Sequence, residues 1–109
     1  TFNECHSLES ISIPSGVTAI PSNCFRDCYA LSEVSVLGNF GSVATYAFYD
    51  CMSMLQYDFS HCTSVPTLSN PNAFNSIPAA CKILVPSALY STWSTATGWN
   101  NFADRMVAV

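Results

Sequence analysis

The stretch FRDCYALSEVSV, residues 25–36, recurs with conservative changes at residues 2–13 and 48–59, so successive copies are separated by a constant interval. The shared template is F-x-x-C-x-x-L-x-x-I-x-I. Self-similarity at a fixed period of about 20–50 residues is typical of proteins built from stacked repeats. The spacing therefore predicts that each template position forms a column on successive coils. The columns are Phe2, Phe25 and Phe48; Cys5, Cys28 and Cys51; Leu8, Leu31 and Met54; Ile11, Val34 and Tyr57; and Ile13, Val36 and Phe59.

The composition agrees with an apolar interior that recurs in every coil. Half of the 109 residues are hydrophobic and only 9% are charged, with a net charge of −4. The basic residues are Arg26, Lys82 and Arg105. Binding to nucleic acid or to anionic lipid needs clustered Lys and Arg, so the composition argues against both partners. No apolar run approaches the roughly 18 residues of a membrane-spanning helix, and we expect no membrane insertion.

Alternating polar and apolar residues predict one strand in each coil. Phe25 and Cys28, spaced i and i+3, predict a short helical turn over residues 24–28. Residues 61–68 break the period, and we expect them to form an irregular loop. The predicted strands are residues 8–13, 31–36, 54–59 and 82–85.

The C-terminal segment predicts two helices. Residues 87–97 place apolar side chains on one helical face. Ser87 is the expected N-cap of this helix, and Gly98 is its expected stop. A second short helix is predicted over residues 100–104. Both tryptophans of the chain lie in this segment, and a stack of repeats needs a cap over its apolar end.

Six cysteines in a short chain suggest disulfides. If the cysteines of the repeat column lie on helical turns, adjacent coils are roughly 8–10 Å apart, whereas the Cα atoms of a disulfide are at most about 7 Å apart. We therefore expect buried thiols in that column. Cys24, Cys62 and Cys81 fall outside the period, and a disulfide among them remains an alternative.

Two further groups of residues invite a chemical interpretation. Cys24 and Cys28, with His6 or His61, have the composition of a zinc site or a Cys–His nucleophile. The repeat already accounts for Cys28 as a core position, so we favour neither. Asp27 and Asp50 share a column, and we expect them to satisfy backbone N–H groups rather than to act as an acid–base pair.

The aromatic residues near the C-terminus allow two interpretations. Stacked rings at a surface bind sugars, whereas rings at helical spacing pack into a core. The spacing favours packing against the last coil. The residues concerned are Tyr90, Trp93, Trp99 and Phe102.

The units at residues 5–14, 25–36 and 48–59 resemble the BspA-like leucine-rich repeats, also called the Treponema pallidum type, whose coils carry F-x-x-C-x-x-L-x-x-I-x-I-P. Residues 82–99 resemble the usual ending of these proteins, with its pattern of I-x-V-P, L-Y, W and A-T-x-W. The resemblance implies a non-enzymatic protein that is secreted or surface-exposed, in bacteria of the gut and mouth or in parasitic protists. Members are described as adhesins that bind host matrix proteins or other cells.

Periodicity and resemblance together predict an α/β repeat fold. We expect a short leucine-rich-repeat solenoid with one parallel sheet, short helical turns opposite, and a C-terminal helical cap. Residues 1–81 would form about three coils plus an irregular coil, and residues 82–109 the last strand and the cap, in one continuous domain. The chain opens in the middle of a repeat, so we expect it to be a processed protein or a piece of a longer one.

The function implied is an extracellular or cell-surface binding or adhesion module for a protein or glycan partner of host origin. A structural spacer or capping stalk without a ligand is the alternative, and a hydrolase site within residues 59–80 is a third hypothesis. No catalytic residue, metal or cofactor is expected. The open N-terminal end is expected to contact further repeats or another chain.

Two sets of residues follow from the template. Its outward positions supply the predicted binding face, and its inward positions supply the repeat core. The predicted binding face consists of Glu9, Ser10, Ser12, Ser32, Glu33, Ser35, Leu55, Gln56 and Asp58. The predicted core consists of Phe25, Cys28, Leu31, Val34, Val36, Phe48, Cys51 and Met54.

Overall fold

A computed structural model describes residues 7–74, 78 and 80–109, and its strands follow the period of the sequence. Phe2, Cys5 and His6, which the sequence interpretation used, lie outside the described residues, as does part of the segment 59–80 considered for a hydrolase site. The strands are β1 (Ser10–Ile13), β2 (Ala19–Ile20), β3 (Glu33–Val36), β4 (Ser42–Val43), β5 (Gln56–Asp58), β6 (Thr67–Leu68), β7 (Lys82–Val85) and β8 (Met106–Ala108).

Sheet A is the larger of two parallel sheets and contains five strands in the order β1-β3-β5-β7-β8. We number coils 1 to 4 by the strands β1, β3, β5 and β7 with which they begin. Ile11 pairs with Val34, which pairs with Tyr57, so the repeat columns are also the columns of the sheet. Val34 and Val36 point into the interior while Glu33 and Ser35 face outward, as the two-residue period of a strand requires.

Sheet B contains three short strands in the order β2-β4-β6. The sequence predicted one sheet, and this prediction was wrong. Ala19 pairs with Ser42, and Ser42 pairs with Thr67, so the return segments of coils 1 to 3 also form a ladder. Strands of two residues are too short to show alternation, which is the usual sign of a strand. The last of these strands, β6, also lies within the segment 61–68 that was expected to be irregular.

In coils 1 and 2 the third side consists of turns and not of the predicted short helices, whereas in coil 3 it contains a 3-10 helix, Pro71–Phe74. Residues 22–27 form consecutive hydrogen-bonded turns, and the N–H of Cys28 donates to the carbonyl of Phe25 at 3.3 Å. Asn23 and Asp27 adopt φ values of 60° and 59°, a left-handed conformation that interrupts a right-handed helix. Apolar residues at i and i+3 share a face in both geometries, so their spacing did not separate them.

Backbone hydrogen bonds also join the coils along this turn side. The N–H of Phe25 donates to the carbonyl of Ala47 at 2.7 Å, and the N–H of Asp27 donates to the carbonyl of Tyr49 at 2.8 Å. Backbones joined in this way lie about 4.8 Å apart. The coils are therefore closer together than the roughly 8–10 Å expected for helical turns, and the distance argument against a disulfide in the cysteine column fails.

The cysteine column nevertheless contains a thiol. Cys51 is a buried free cysteine whose Sγ donates to the carbonyl of Phe25 at 3.1 Å. Cys28 is also buried. Cys62 and Cys81 are free thiols, so no disulfide forms among the three cysteines that fall outside the period.

A column of parallel phenylalanine rings runs through the interior. The ring centroids of Phe25 and Phe48 are 5.2 Å apart, and those of Phe48 and Phe74 are 5.5 Å apart, with interplanar angles of 6° and 9°. Coil 3 therefore continues the column although Phe74 comes later in the chain than the period requires. All eight residues of the predicted core are buried: Phe25, Cys28, Leu31, Val34, Val36, Phe48, Cys51 and Met54.

The C-terminal segment is less helical than predicted. A 3-10 helix at Ser87–Leu89 precedes α1 (Tyr90–Thr95), and a second 3-10 helix spans Trp99–Arg105. Ser87 does not cap a helix, because its hydroxyl donates to the carbonyl of Val109 at 2.8 Å. The chain then ends in β8, an unpredicted strand that extends sheet A beside β7.

Gly98 lies between α1 and the last 3-10 helix and is not the direct C-terminal stop of α1, which ends at Thr95 with Ala96 as C-cap. Its φ of 83° is a left-handed conformation that favours glycine. A Cβ atom at this position would lie 3.3 Å from atoms of Leu68. Gly98 therefore allows the C-terminal segment to approach β6 closely.

Candidate functional site

The outer face of sheet A brings together the nine residues of the predicted binding face. All nine are exposed or half-buried. Because the strands pair in register, side chains from different coils lie side by side on a rigid ladder. The columns are Ser10, Glu33 and Gln56; Ser12, Ser35 and Asp58; and, joined by backbone hydrogen bonds just before the strands, Glu9, Ser32 and Leu55.

Some polar groups of this face are already engaged within the protein. The hydroxyl of Ser32 donates to the carbonyl of Glu9 at 3.2 Å. The carboxylate of Asp58 accepts hydrogen bonds from the N–H of Ser60 at 2.9 Å and from its hydroxyl at 2.6 Å. Glu33 is exposed and Gln56 is half-buried beside it. These two long polar side chains are well placed to meet a partner.

The structure adds residues that the sequence interpretation missed. Lys82 pairs with Gln56, and Leu84 pairs with Asp58, so β7 extends both columns. Val107 of β8 pairs with Leu84 and lengthens one column further. These positions do not fall on the period of the repeat. The predicted strand over residues 82–85 could have identified Lys82 and Leu84, because residues two apart in a strand share a face. Lys82 introduces a positive charge into a face otherwise charged by carboxylates.

A second surface feature lies on the turn side, around Arg26. The guanidinium carbon of Arg26 is 5.1 Å from the ring centroid of Tyr46 and 4.9 Å from that of Tyr49. Its Nη1 donates to Oδ1 of Asn23 at 3.2 Å, and its Nε lies 3.9 Å from a carboxylate oxygen of Asp27. Arginine and tyrosine are enriched among the residues that dominate binding at interfaces. We call Arg26, Tyr46 and Tyr49 the turn-side cluster.

Tyr46 occupies an unusual backbone position within this cluster. Its φ is 59°, and the matching residue one coil earlier is Asn23, with a φ of 60°. Asparagine adopts the left-handed conformation readily, whereas for other residues it costs about 1–2 kcal/mol. The Tyr46 ring contacts Arg26 and Tyr49, and a cation–π contact contributes about 0.5–1 kcal/mol at an exposed site. Asp27 and Asp50 adopt the same conformation, each with a φ of 59°, and aspartate is one of the residues that tolerate it.

The buried thiols lack the character of a nucleophile. Burial raises the pKa of the Cys51 thiol from 9.0 to about 12, with a smaller contribution from the nearby thiol of Cys28. Burial also raises the pKa values of Cys62 and Cys81 to about 11. Nucleophilic and metal-binding cysteines need a thiolate, which a raised pKa disfavours. Cys62, next to His61 in the segment considered for a hydrolase, is therefore protonated near neutral pH.

The C-terminal aromatic residues pack into the interior and do not form a sugar platform. Trp93 and Trp99 are fully buried, and Phe102 is buried as well. The indole N–H of Trp99 donates to the carbonyl of Pro66 at 2.7 Å. Tyr90 is half-buried against this core. The side chains that would have to stack on a sugar are thus covered by protein.

The described residues offer little else for chemistry. Residues 7–74, 78 and 80–109 contain no group of three or more His, Cys, Asp or Glu side chains arranged to hold a metal ion. Within the same part of the chain, no helix combines the length and the apolar character needed to cross a membrane. The described residues instead present two surface features, the outer face of sheet A and the turn-side cluster.

Comparison with known proteins agrees with this architecture. The family model of the BspA type leucine rich repeat region matches residues 1–94 in six copies. No curated protein is similar enough to the chain to count as a match. Leucine-rich repeat domains of this family are generally non-enzymatic, typically surface-associated, and serve as interaction or surface modules. The match covers most of the chain, which therefore belongs to the BspA type leucine-rich repeat family.

Proposed function

We propose that this protein is an extracellular or cell-surface binding module that presents the outer face of sheet A to a protein or glycan partner. The observation that carries the proposal is the alignment of accessible polar side chains into columns across β1, β3, β5 and β7. Backbone hydrogen bonds fix the spacing of these columns, so little conformational entropy is lost when a partner binds them.

The chemistry of the face indicates how it would recognise a partner. Glu9, Glu33 and Asp58 supply carboxylates, Lys82 supplies one ammonium group, and the serines supply hydroxyl groups. Such a face binds through hydrogen bonds and charge complementarity, with Leu55, 58% exposed, as its largest apolar contact. A partner with basic or hydroxyl groups fits these requirements. Because exposed charges are screened by salt, we expect binding to weaken as ionic strength rises.

Direct binding measurements test this proposal. The wild-type chain would be passed over immobilised extracellular-matrix proteins and a glycan array, and the best probe would be retained for variants. The triple variant Glu33→Ala, Gln56→Ala, Asp58→Ala should weaken binding at least roughly tenfold, since each hydrogen bond contributes about 1 kcal/mol. The double variant Arg26→Ala, Tyr49→Ala, on the turn side, is the matched control and should bind like the wild type.

The other outcomes have distinct meanings. Loss of binding in the turn-side variant, with binding retained in the triple variant, would move the site to the turn-side cluster. Absence of binding to every probe would favour the alternative function, a structural spacer or capping stalk of a larger surface protein. Circular dichroism of all variants would show that each one is folded.

We also propose that the stack forms a short solenoid in which residues 82–109 are the cap. Trp93 and Trp99 are fully buried, and the centroid of Phe59, from coil 3, lies 5.5 Å from that of Trp93. These contacts support packing of the C-terminal segment against coil 3 within one continuous domain, and the boundary near residue 81 rests on the sequence pattern alone. The family match itself extends to residue 94.

A further inference from the structure

Coil 2 presents a stripe of large side chains on its outer surface. Between residues 46 and 55 the chain turns repeatedly, and Phe48, Cys51 and Met54 point into the core at intervals of three residues. A second set of residues with the same spacing is half-buried or exposed. All of its members are aromatic or apolar, and we call them the outward stripe: Tyr46, Tyr49, Met52 and Leu55.

Hydrogen-bonded turns hold the members of the outward stripe in place. The N–H of Tyr49 donates to the carbonyl of Tyr46 at 3.3 Å, and the ring centroids of these two tyrosines are 5.1 Å apart. The N–H of Met54 donates to the carbonyl of Cys51 at 3.3 Å, so Met52 lies within the next turn. Met52 is 57% exposed and Leu55 is 58% exposed. The stripe therefore runs from a packed pair of rings to two accessible apolar side chains.

The fold does not require large apolar side chains at these positions. The corresponding residues of coil 1 are mostly polar: Asn23, Arg26, Tyr29 and Ser32. Tyr46 shares the left-handed backbone of Asn23, a conformation that costs free energy for tyrosine but little for asparagine. Backbone strain of this kind is concentrated at functional sites. The choice of tyrosine at this position is therefore better explained by a role of its ring at the surface than by the needs of the coil.

The residue types of this surface favour a protein over a glycan. Aromatic residues, methionine and arginine are enriched in the buried centre of protein interfaces. A sugar stacks on an open ring face, whereas the guanidinium of Arg26 lies over the rings of Tyr46 and Tyr49, at 5.1 Å and 4.9 Å from their centroids. The flexible thioether of Met52 adapts readily to the apolar side chains of a partner.

The charges beside the outward stripe indicate the charge of that partner. Asp27 and Asp50 hold equivalent positions in coils 1 and 2, and both are half-buried. In coil 1 the preceding residue is Arg26, whose Nε lies 3.9 Å from the carboxylate of Asp27. In coil 2 the preceding residue is Tyr49, and within the described part of the chain Asp50 forms no ion pair. The carboxylate of Asp50 is therefore available to a cation from a partner.

We propose that the outward stripe is a second docking surface, and that it binds a protein segment in which a lysine or arginine is flanked by apolar residues. The apolar residues contact Met52 and Leu55. The cation pairs with Asp50, as Arg26 pairs with Asp27 one coil earlier. Leu55 marks the boundary with the outer face of sheet A, so this partner is distinct from the one proposed for that face.

Parallel selections from a displayed library of random linear peptides test the proposal. One selection uses the wild-type chain, and the other uses the double variant Tyr46→Asn, Met52→Ser. Peptides enriched only on the wild type should combine Lys or Arg with apolar residues. The best of them, once synthesised, should bind the double variant about thirtyfold more weakly, the loss expected for a hot-spot residue. Leu37→Ser changes an apolar residue that is 49% exposed outside the stripe, and this control should bind like the wild type.

Single variants separate the role of the charge from that of the backbone. Asp50→Asn keeps a residue that suits the left-handed conformation, and it should weaken peptide binding and reduce its dependence on salt. Tyr46→Asn should weaken binding while thermal stability is retained or increased. The triple variant Glu33→Ala, Gln56→Ala, Asp58→Ala on sheet A should bind the peptide like the wild type, so the two proposed surfaces can fail independently.

Several results would overturn the proposal. One is a selection in which no peptide is enriched on the wild type alone, and another is a set of enriched peptides without basic residues. A third is unchanged peptide binding by Asp50→Asn. Binding to a glycan array that the double variant loses and Leu37→Ser retains would replace the protein segment with a sugar.

Discussion

The two ends of the coil stack bury their apolar surface in different ways. At the C-terminal end, which we call the closed end, β8 extends sheet A, and Trp93 and Trp99 cover the interior with no exposed area. At the β1 end of the described residues, which we call the open end, Ile11 and Val17 are half-buried beside a cavity. Among the described residues, the two ends therefore differ in how completely their apolar template positions are covered. Stability should therefore depend mainly on the closed end.

The largest expected loss of stability comes from a substitution in the core of the closed end. Trp99→Ala removes a fully buried indole and leaves the carbonyl of Pro66 without its donor. We expect the free energy of unfolding to fall by about 3–5 kcal/mol, as is typical for large-to-small substitutions in cores. Val17→Ala at the open end should cost less than about 1 kcal/mol, because Val17 is only half-buried. Urea denaturation measures both, and equal losses would contradict the comparison.

The thiols between the two ends should make stability sensitive to alkaline pH. Unfolded thiols titrate near 9.0, whereas the folded pKa values are about 12 for Cys51 and about 11 for Cys62 and Cys81. Above pH 9 the unfolded chain loses protons that the folded chain retains, so the free energy of unfolding decreases as pH rises. By pH 10 we expect a loss of roughly 1 kcal/mol per thiol.

Denaturation curves at pH 7 and pH 10 measure this loss. The variant Cys51→Ala should show a smaller difference between the two pH values, whatever its stability at pH 7. A stability that is constant up to pH 11, or a pH dependence unchanged in the variant, would contradict the assignment of these thiols as buried and protonated.

The smallest expected differences in stability come from alanine substitutions of one glycine at each end. Gly98 at the closed end has a φ of 83°, and a Cβ there would lie 3.3 Å from atoms of Leu68. Gly16 at the open end has a φ of 96° and no heavy atom within 4 Å of such a Cβ. Alanine at either site should cost about 1 kcal/mol for the left-handed backbone. Gly98→Ala should cost more, because Leu68 must move. If thermal unfolding shows Gly16→Ala to be the more damaging, packing at the closed end is looser than described.

Much of the fold follows from the period of the sequence. The columns of sheet A, the burial of the template residues and the bounds of β7 could all be predicted, because apolar alternation and fixed spacing are strong signals. Phe74 continues the column of Phe48 in the structure, although the interval between them is longer than the period.

The features that were missed lack a local signal. The strands of sheet B contain two residues each, and the helical and turn geometries of residues 24–28 share an i, i+3 pattern. Asn and Asp adopt left-handed backbone readily, whereas a tyrosine such as Tyr46 gives no sequence sign of it. Ser87 is a common type of N-cap, but the return of β8 places the carbonyl of Val109 within reach of its hydroxyl.

The candidate site was predictable to the extent that it follows the template. The nine residues from Glu9 to Asp58 follow from the outward positions, whereas Lys82, Leu84 and Val107 required the pairing of β7 and β8. The turn-side cluster could not be foreseen because it depends on side chains from coil 1 and coil 2 that meet only in three dimensions. A repeat pattern predicts structural features that recur in successive coils, and the turn-side cluster is not such a feature.

The step from coil 3 to coil 4, measured from Gln56 to its partner Lys82, is longer than the step from Glu33 to its partner Gln56. The ladders continue in register across this longer step. Extra residues are thus absorbed in a surface segment while the shared backbone bonds stay intact. A gene that duplicates one such unit, or gains a few codons between strands, would lengthen or decorate the protein without redesigning its neighbours.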